Sequence, residues 1–357
     1  MTASGEAAHA EGDDTTASGD AAHAEGTSTT ASGLNAHAEG ESTTASGEGA
    51  HAEGSTTTAN GDLSHAEGYQ TVAEGLRTHA EGYGSTANGD TAHAEGLGTQ
   101  AIGDQSHAEG LRTIAGTAGN AGKASHAEGE GTRTEADHAH AEGYNTIARG
   151  DSSHAEGNNT LASGLQSHAE GENTIASGEA SHAEGSQTTA SGDLSHAEGY
   201  QTVASGLRSH VEGYASTASG DTSHAEGIGT NTNGHIGAHI MGKFGLADAD
   251  YSWHLGNGNS SAAMGLAARI DANLARGIAT NGWVMGSADY AEMFETTDGQ
   301  PIDVGYFVTL DGDTDRVRIA SSADSFLLGV TSATPGVLGD AGELEWRDKW
   351  LKDEWGR

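Results

Sequence analysis

The chain has 357 residues, 52 of them acidic against 15 basic, with a formal net charge of −37 and no cysteine. That balance makes nucleic acid an unsuitable partner, and the lack of thiols excludes disulfides, Cys-based metal sites and cysteine nucleophiles. Leu, Ile, Val and Phe supply about an eighth of the residues, a proportion that on composition alone reads as disorder.

A strict period contradicts disorder. His-Ala-Glu-Gly begins at His9, His23, His37, His51, His65, His79, His93 and His107, resumes at His126, and continues through His140, His154, His168, His182, His196, His210 and His224. Each step is 14 residues except the 19 from His107 to His126, and Val211 is the one substitution inside the tetrapeptide. Such self-similarity predicts a solenoid, each repeat hydrogen-bonding to its neighbours. A surface loop in the Gly-rich stretch Gly116 to Lys123 is expected to absorb the five extra residues. Met1-Thr2-Ala3-Ser4-Gly5 has neither a basic segment nor an apolar core, so no signal peptide is expected, and no apolar run is long enough to span a bilayer.

Fourteen residues divide into two short strands and two turns, with Gly12 and Gly19 expected at the corners of the first repeat. Numbered from the His, positions 2 (Ala) and 14 (Ala, Ser or Thr) share one face of the first strand, and positions 1 (His) and 3 (Glu) share the other. Positions 7 (Thr or Ser) and 9 (mostly Ala) supply small residues from the second strand. These four positions fill a narrow coil, and His and Glu point out of it.

The pattern Ser195-His196-Ala197-Glu198-Gly199 to Gly206 resembles the repeats of the YadA-like head of trimeric autotransporter adhesins. The resemblance implies an all-β fold: a left-handed parallel β-roll solenoid of 14-residue repeats over residues 1–234, three chains side by side, followed by a β-stalk and a small C-terminal β-rich domain. Where that family carries aliphatic residues at the two alternating positions, this chain has His and Glu. Three readings of the outward ladder stay open. His154, Glu156, His168, Glu170, His182 and Glu184 would form a polar, pH-sensitive seam in which each Glu accepts from a neighbouring chain's His. Alternatively the ladder is a solvated product of repeat duplication, or it chelates a divalent ion; no repeat offers a recognisably closed site, so neither metal nor cofactor is expected.

Past Thr230 the period fades. His235 to Gly242 keeps an echo of the coil, and residues 235–282 read as a connector of short strands and turns, with a helix an option at Ala262 to Ala275. Its histidines read as structural. From Trp283 onward, Gly286-Ser287-Ala288-Asp289-Tyr290-Ala291-Glu292-Met293 precedes a hairpin pattern: Tyr306 to Leu310, a turn Asp311 to Asp315, and Arg316 to Ala320. Phe326 to Ala333 reads as a further strand.

Together with Gly305-Tyr306-Phe307-Val308 and Pro335 to Asp340, this region resembles the peptidase G2 family, intramolecular chaperones at the C-terminal ends of phage neck-appendage and tail-fibre proteins that are cut away by autoproteolysis. The resemblance carries catalytic roles onto Asp289 and Glu292, with cleavage between Ala288 and Asp289. The chemistry is permitted, since the Asp289 carboxylate reaches the Ala288 carbonyl carbon through a six-membered ring. The family domain usually runs well beyond the point where this chain stops, so residues 283–357 are expected to be an incomplete copy. Otherwise Asp289 and Glu292 are turn and cap residues of a small β-domain.

The expected function is a trimeric phage tail-fibre or appendage protein with a self-cleaving chaperone, at most a single-turnover peptidase on its own chain. The expected partners are two further copies of the chain and a host-surface receptor or glycan, with no nucleic acid and no membrane, in a virion or extracellular location. The alternative is a bacterial surface adhesin fragment with a non-cleaving C-terminus.

Overall fold

The computed structural model describes residues 1–117, 122–272, 276–279, 290–292, 294–312, 314, 316–332 and 337–339. The chain divides into two units, Met1–Thr280 and Asn281–Arg357, and the described residues are all strand, turn or irregular, with no helix.

The first unit is a parallel β-solenoid. Each coil has a long strand opening on the repeat's His, as in His23–Thr27, and a two-residue strand, as in Thr30–Ala31. Long strands pair in parallel with like residues opposite, so His23 faces His37, Ala24 faces Ala38 and Glu25 faces Glu39. The short strands form a second parallel sheet of 16 strands, from Thr2–Ala3 to Thr217–Ala218. Because strand side chains alternate between faces, Ala24 at position 2 and Ala17 at position 9 are fully buried, as are Thr15 at position 7 and, within 1%, Ala22 at position 14. The core is therefore a set of columns of small side chains, and it has no bulky centre.

Stacking this close dictates glycine at two positions. At position 4 the backbone is left-handed, with φ +104° at Gly171, and a Cβ there would lie 2.1 Å from the Gly185 carbonyl oxygen. At position 11, a Cβ on Gly164 would lie 1.9 Å from the Gly178 oxygen. Gly12 thus lies inside the strand His9–Asp13, and the bend follows at Asp14, whereas Gly19 does sit at a turn. Corner backbone is held by side chains too: the Glu179 N–H donates to Asp193 Oδ1 at 2.9 Å, one coil on. At position 14, Ser167 Oγ donates to the Gly164 carbonyl at 2.7 Å.

The five-residue insertion leaves the register intact, with His107 facing His126 and Ala115 facing Thr134. Thr134 stands in a column of Ala; its Oγ1 accepts from the Gly116 N–H at 3.1 Å and donates to Ser125 Oγ at 2.9 Å, tying the inserted segment to the stack. Past residue 234 the parallel sheet continues for two more coils, His239–Lys243 and Trp253–Asn257, in which Ile240 and His254 occupy the Ala column. The helix considered at 262–275 is not formed: Leu266–Asp271 is a strand antiparallel to Trp253–Asn257, and Arg276–Ala279 adds beyond it. The open edge of the last coil supplies backbone partners that outweigh the high helix propensity of Leu-Ala-Ala-Arg.

In the second unit, Phe307–Leu310 and Val317–Ile319 form the expected hairpin, with Leu310 opposite Val317. Gly329–Val330 joins on the other side of Phe307–Leu310. Arg318 grips Asp324 through both terminal nitrogens, holding that carboxyl well below the usual range.

Candidate functional site

The His and Glu of successive repeats form one continuous file. Neighbouring imidazole rings stack with centroids 4.8 Å apart between His154 and His168 and 4.7 Å between His168 and His182, tilted by only 1° and 3°. This is the inter-strand spacing of a sheet, imposed on the side chains by the register. Within each coil the two residues share a face and converge: His154 Nε2 lies 3.8 Å from Glu156 Oε2, His168 Nε2 lies 3.8 Å from Glu170, and His182 Nε2 lies 3.9 Å from Glu184. All six predicted ladder residues are thus brought together in one chain. Their side chains are about one-third exposed, yet each Nε2 is hidden from solvent and has no hydrogen-bond partner.

Packing sets the titration of the file. Burial, followed by the charge of flanking imidazoles, holds His154 and His182 below the ordinary histidine range. Hydrogen bonding to Glu184 and then Glu156 pushes the Glu170 carboxyl up to about 7, with burial and the like charge of both neighbours acting in the same direction. Glu156 is lowered by hydrogen bonding to Glu170 and then Glu142, and Glu184 by hydrogen bonding to Glu198 and then Glu170. The same alternation puts Glu53, Glu81, Glu128 and Glu198 at about 7. A proton on alternate carboxyls is how a file of like charges at this spacing relieves its repulsion.

A second polar cluster closes the roll. His254, whose side chain is fully buried, sits 3.2 Å from Asp248 Oδ1, and Arg269 bridges Asp248 at 2.6 Å and Asp271 at 3.1 Å. Sequence reasoning passed over this group. Its signal was a His at position 2 of a coil, where every earlier coil has Ala, Val or Ile.

Of the cleavage motif, Ala288 and Asp289 lie outside the described residues. Tyr290–Glu292 is a strand pairing in parallel with Val337–Gly339, Tyr290 opposite Val337 and Glu292 opposite Gly339. The two segments singled out together in the sequence are therefore neighbours in one sheet.

Comparison with known proteins follows the same division. The YadA head domain repeat matches in eight overlapping or separate windows between residues 2 and 209. The Peptidase_G2, IMC autoproteolytic cleavage domain matches residues 246–357, beginning inside the last coils of the roll. The pre-neck appendage protein of Bacillus phage B103 is 38% identical over 69 residues, which are 19% of this chain and 8% of that protein. The preneck appendage protein of Bacillus phage PZA is 44% identical and the pre-neck appendage protein of Bacillus phage phi29 43% identical, each over 70 residues and 8% of its length. The chain therefore spans only a small part of the curated relatives it matches. The roll is thus similar to YadA head domain repeats, and residues 246–357 match the Peptidase_G2, IMC autoproteolytic cleavage domain.

Proposed function

We propose that this chain is part of a virion-associated phage appendage, in which three copies pack their rolls into a rigid shaft and the C-terminal region assists assembly before cutting itself away. The observation that carries this reading is the presence of both parts in one chain: a roll whose coil interiors contain little but Ala, Ser and Thr, and an autoproteolytic family match that begins within its last coils. Coils this small bury little apolar area, which favours association of several chains.

The proposed cut lies between Ala288 and Asp289. The Asp289 carboxylate attacks the Ala288 carbonyl carbon, the C–N bond breaks, and the Asp289 nitrogen leaves as an amine after taking a proton. Water opens the resulting anhydride, returning the Asp289 carboxylate and freeing the Ala288 carboxylate. Glu292 would protonate the leaving nitrogen or activate the water. Asp289→Asn removes the nucleophile and Glu292→Gln the proton-transfer group. In the full natural polypeptide, each is expected to leave uncleaved trimer, as read by intact mass and sedimentation. Cleavage of both variants at the parent rate would eliminate this mechanism, and a folded monomer at micromolar concentration would eliminate the trimeric shaft.

A host-surface receptor or glycan is the proposed partner of the shaft. Support comes from an internal duplication: Gly61–Ala73 recurs unchanged as Gly192–Ala204. Each copy presents a stacked pair of exposed tyrosines, Tyr69 with Tyr83 at 4.8 Å and Tyr200 with Tyr214 at 5.3 Å. Aromatic surfaces of this kind are enriched where proteins bind partners. Changing Tyr83 and Tyr214 to Ala together should reduce adsorption to host cells at least tenfold without altering sedimentation; unchanged adsorption would remove the tyrosines from the interface.

A further inference from the structure

The unpartnered imidazole nitrogens of the ladder call for a ligand. From His23 onward each ladder Nε2 is screened from water and makes no hydrogen bond, and most face a carboxylate of their own coil at a distance too long for one, such as 3.8 Å from His93 to Glu95 and 3.7 Å from His107 to Glu109. A buried polar atom without a partner is costly, and this one recurs coil after coil. The next imidazole nitrogen completes a triad: in His93, Glu95 and His107, and again in His168, Glu170 and His182, one ligand atom from each residue lies within 4.8 Å of the other two.

We propose that the ladder is a linear array of sites for divalent transition-metal ions of the zinc class, each ion held by two successive His and a Glu of the same chain. A point equidistant from three atoms so spaced lies at most about 2.8 Å from each, so side-chain shifts of up to about 0.7 Å reach ordinary zinc–nitrogen and zinc–oxygen lengths. Two imidazoles and a carboxylate suit zinc, nickel or copper, whereas calcium and magnesium require a shell made of oxygen. Water or a residue of a neighbouring chain completes the tetrahedron. Since each Nε2 can bind only one ion, consecutive triads cannot both fill. Occupancy is then limited to every second coil, about eight ions over the sixteen repeats.

The proposal does not depend on self-cleavage or trimer formation, because one chain supplies all three ligands.

The test is equilibrium dialysis of the chelator-treated full chain against zinc alone, with metal and protein measured together. Several ions per chain are expected at micromolar zinc, with zinc X-ray absorption showing imidazole bound to the metal. Replacing His154, His168, His182 and His196 by Gln should remove about two ions, while His138→Gln, off the ladder, should remove none. Because lost imidazoles also remove stacking, a second variant keeps every His and changes Glu156, Glu170 and Glu184 to Gln, and it too should bind fewer ions. Fewer than one ion per chain, an all-oxygen shell, or uptake undiminished by both ladder variants would overturn the proposal.

Discussion

Glycine, histidine and glutamate each have a separate physical job in the repeat. The position-4 Gly is confined twice over, by a left-handed backbone and by the next coil's carbonyl. Gly171→Ala is expected to cost about 3 kcal/mol or more, because neither backbone can give way without breaking the register. Gly84 also has a left-handed backbone, φ +66°, but nothing lies within 4 Å of a Cβ there, and the duplicated copy carries Ala215 at the equivalent place with φ 52°. Gly84→Ala should therefore cost no more than about 1 kcal/mol. Urea midpoints for the two variants check the contrast, and equal losses would contradict it.

The ladder residues give stability a pH dependence. His154, His182 and His196, held low by burial, are easier to protonate unfolded than folded, so their contribution is intact above about 6.5 and declines as pH falls. Glu170 and the other carboxyls at about 7 are harder to ionise folded than unfolded, so their contribution is full below about 4.5 and is lost as pH rises through 7. Between these opposing slopes lies a stability maximum on the acid side of neutral. The pH-sensitive seam expected from the sequence would favour protonated His; within one chain, burial acts on His in the opposite direction and the carboxyl file produces the alkaline loss. Thermal unfolding from pH 4 to 9 in metal-free buffer should peak between about 5 and 6.5, and a steady rise to pH 9 would show that the carboxyl file does not hold its protons.

At the scale of the element, most of the coil was legible from spacing alone. The alternation of His-Ala-Glu against Ala or Ser assigned the inward columns, since a strand leaves no other choice once the small residues must face the core. The extension to Trp253–Asn257 was hidden because His254 and Ile240 replace the Ala that marks the column. Leu266–Asp271 looked helical because local propensity carries no information about an open sheet edge. The ladder's stacking follows from register, but its unpartnered nitrogens depend on side-chain angles that no spacing reveals. If the ladder faces a seam of the proposed trimer and aliphatic residues can fill it, His168→Val with Glu170→Ile should leave that trimer intact and shift the thermal midpoint by only a few degrees. Dissociation to monomers in sedimentation would show that polar pairing holds the chains together.

For the whole molecule, the order of events matters most. A chaperone cut from an unfolded monomer would be discarded before acting, so a cleavage site completed only on assembly explains how one chain can both guide folding and sever the guide. Tyr290–Glu292 beside Val337–Gly339 suits that logic, because the motif strand is formed by long-range pairing and not by local sequence. The most direct test is to follow the full natural polypeptide from the start of refolding, separating monomer from trimer and weighing each by intact mass. A fragment beginning at Asp289 should emerge only in the trimer fraction, after assembly and with its N-terminal partner ending at Ala288. Assembled trimer that stays whole, or the same fragment arising first among monomers, would contradict the account.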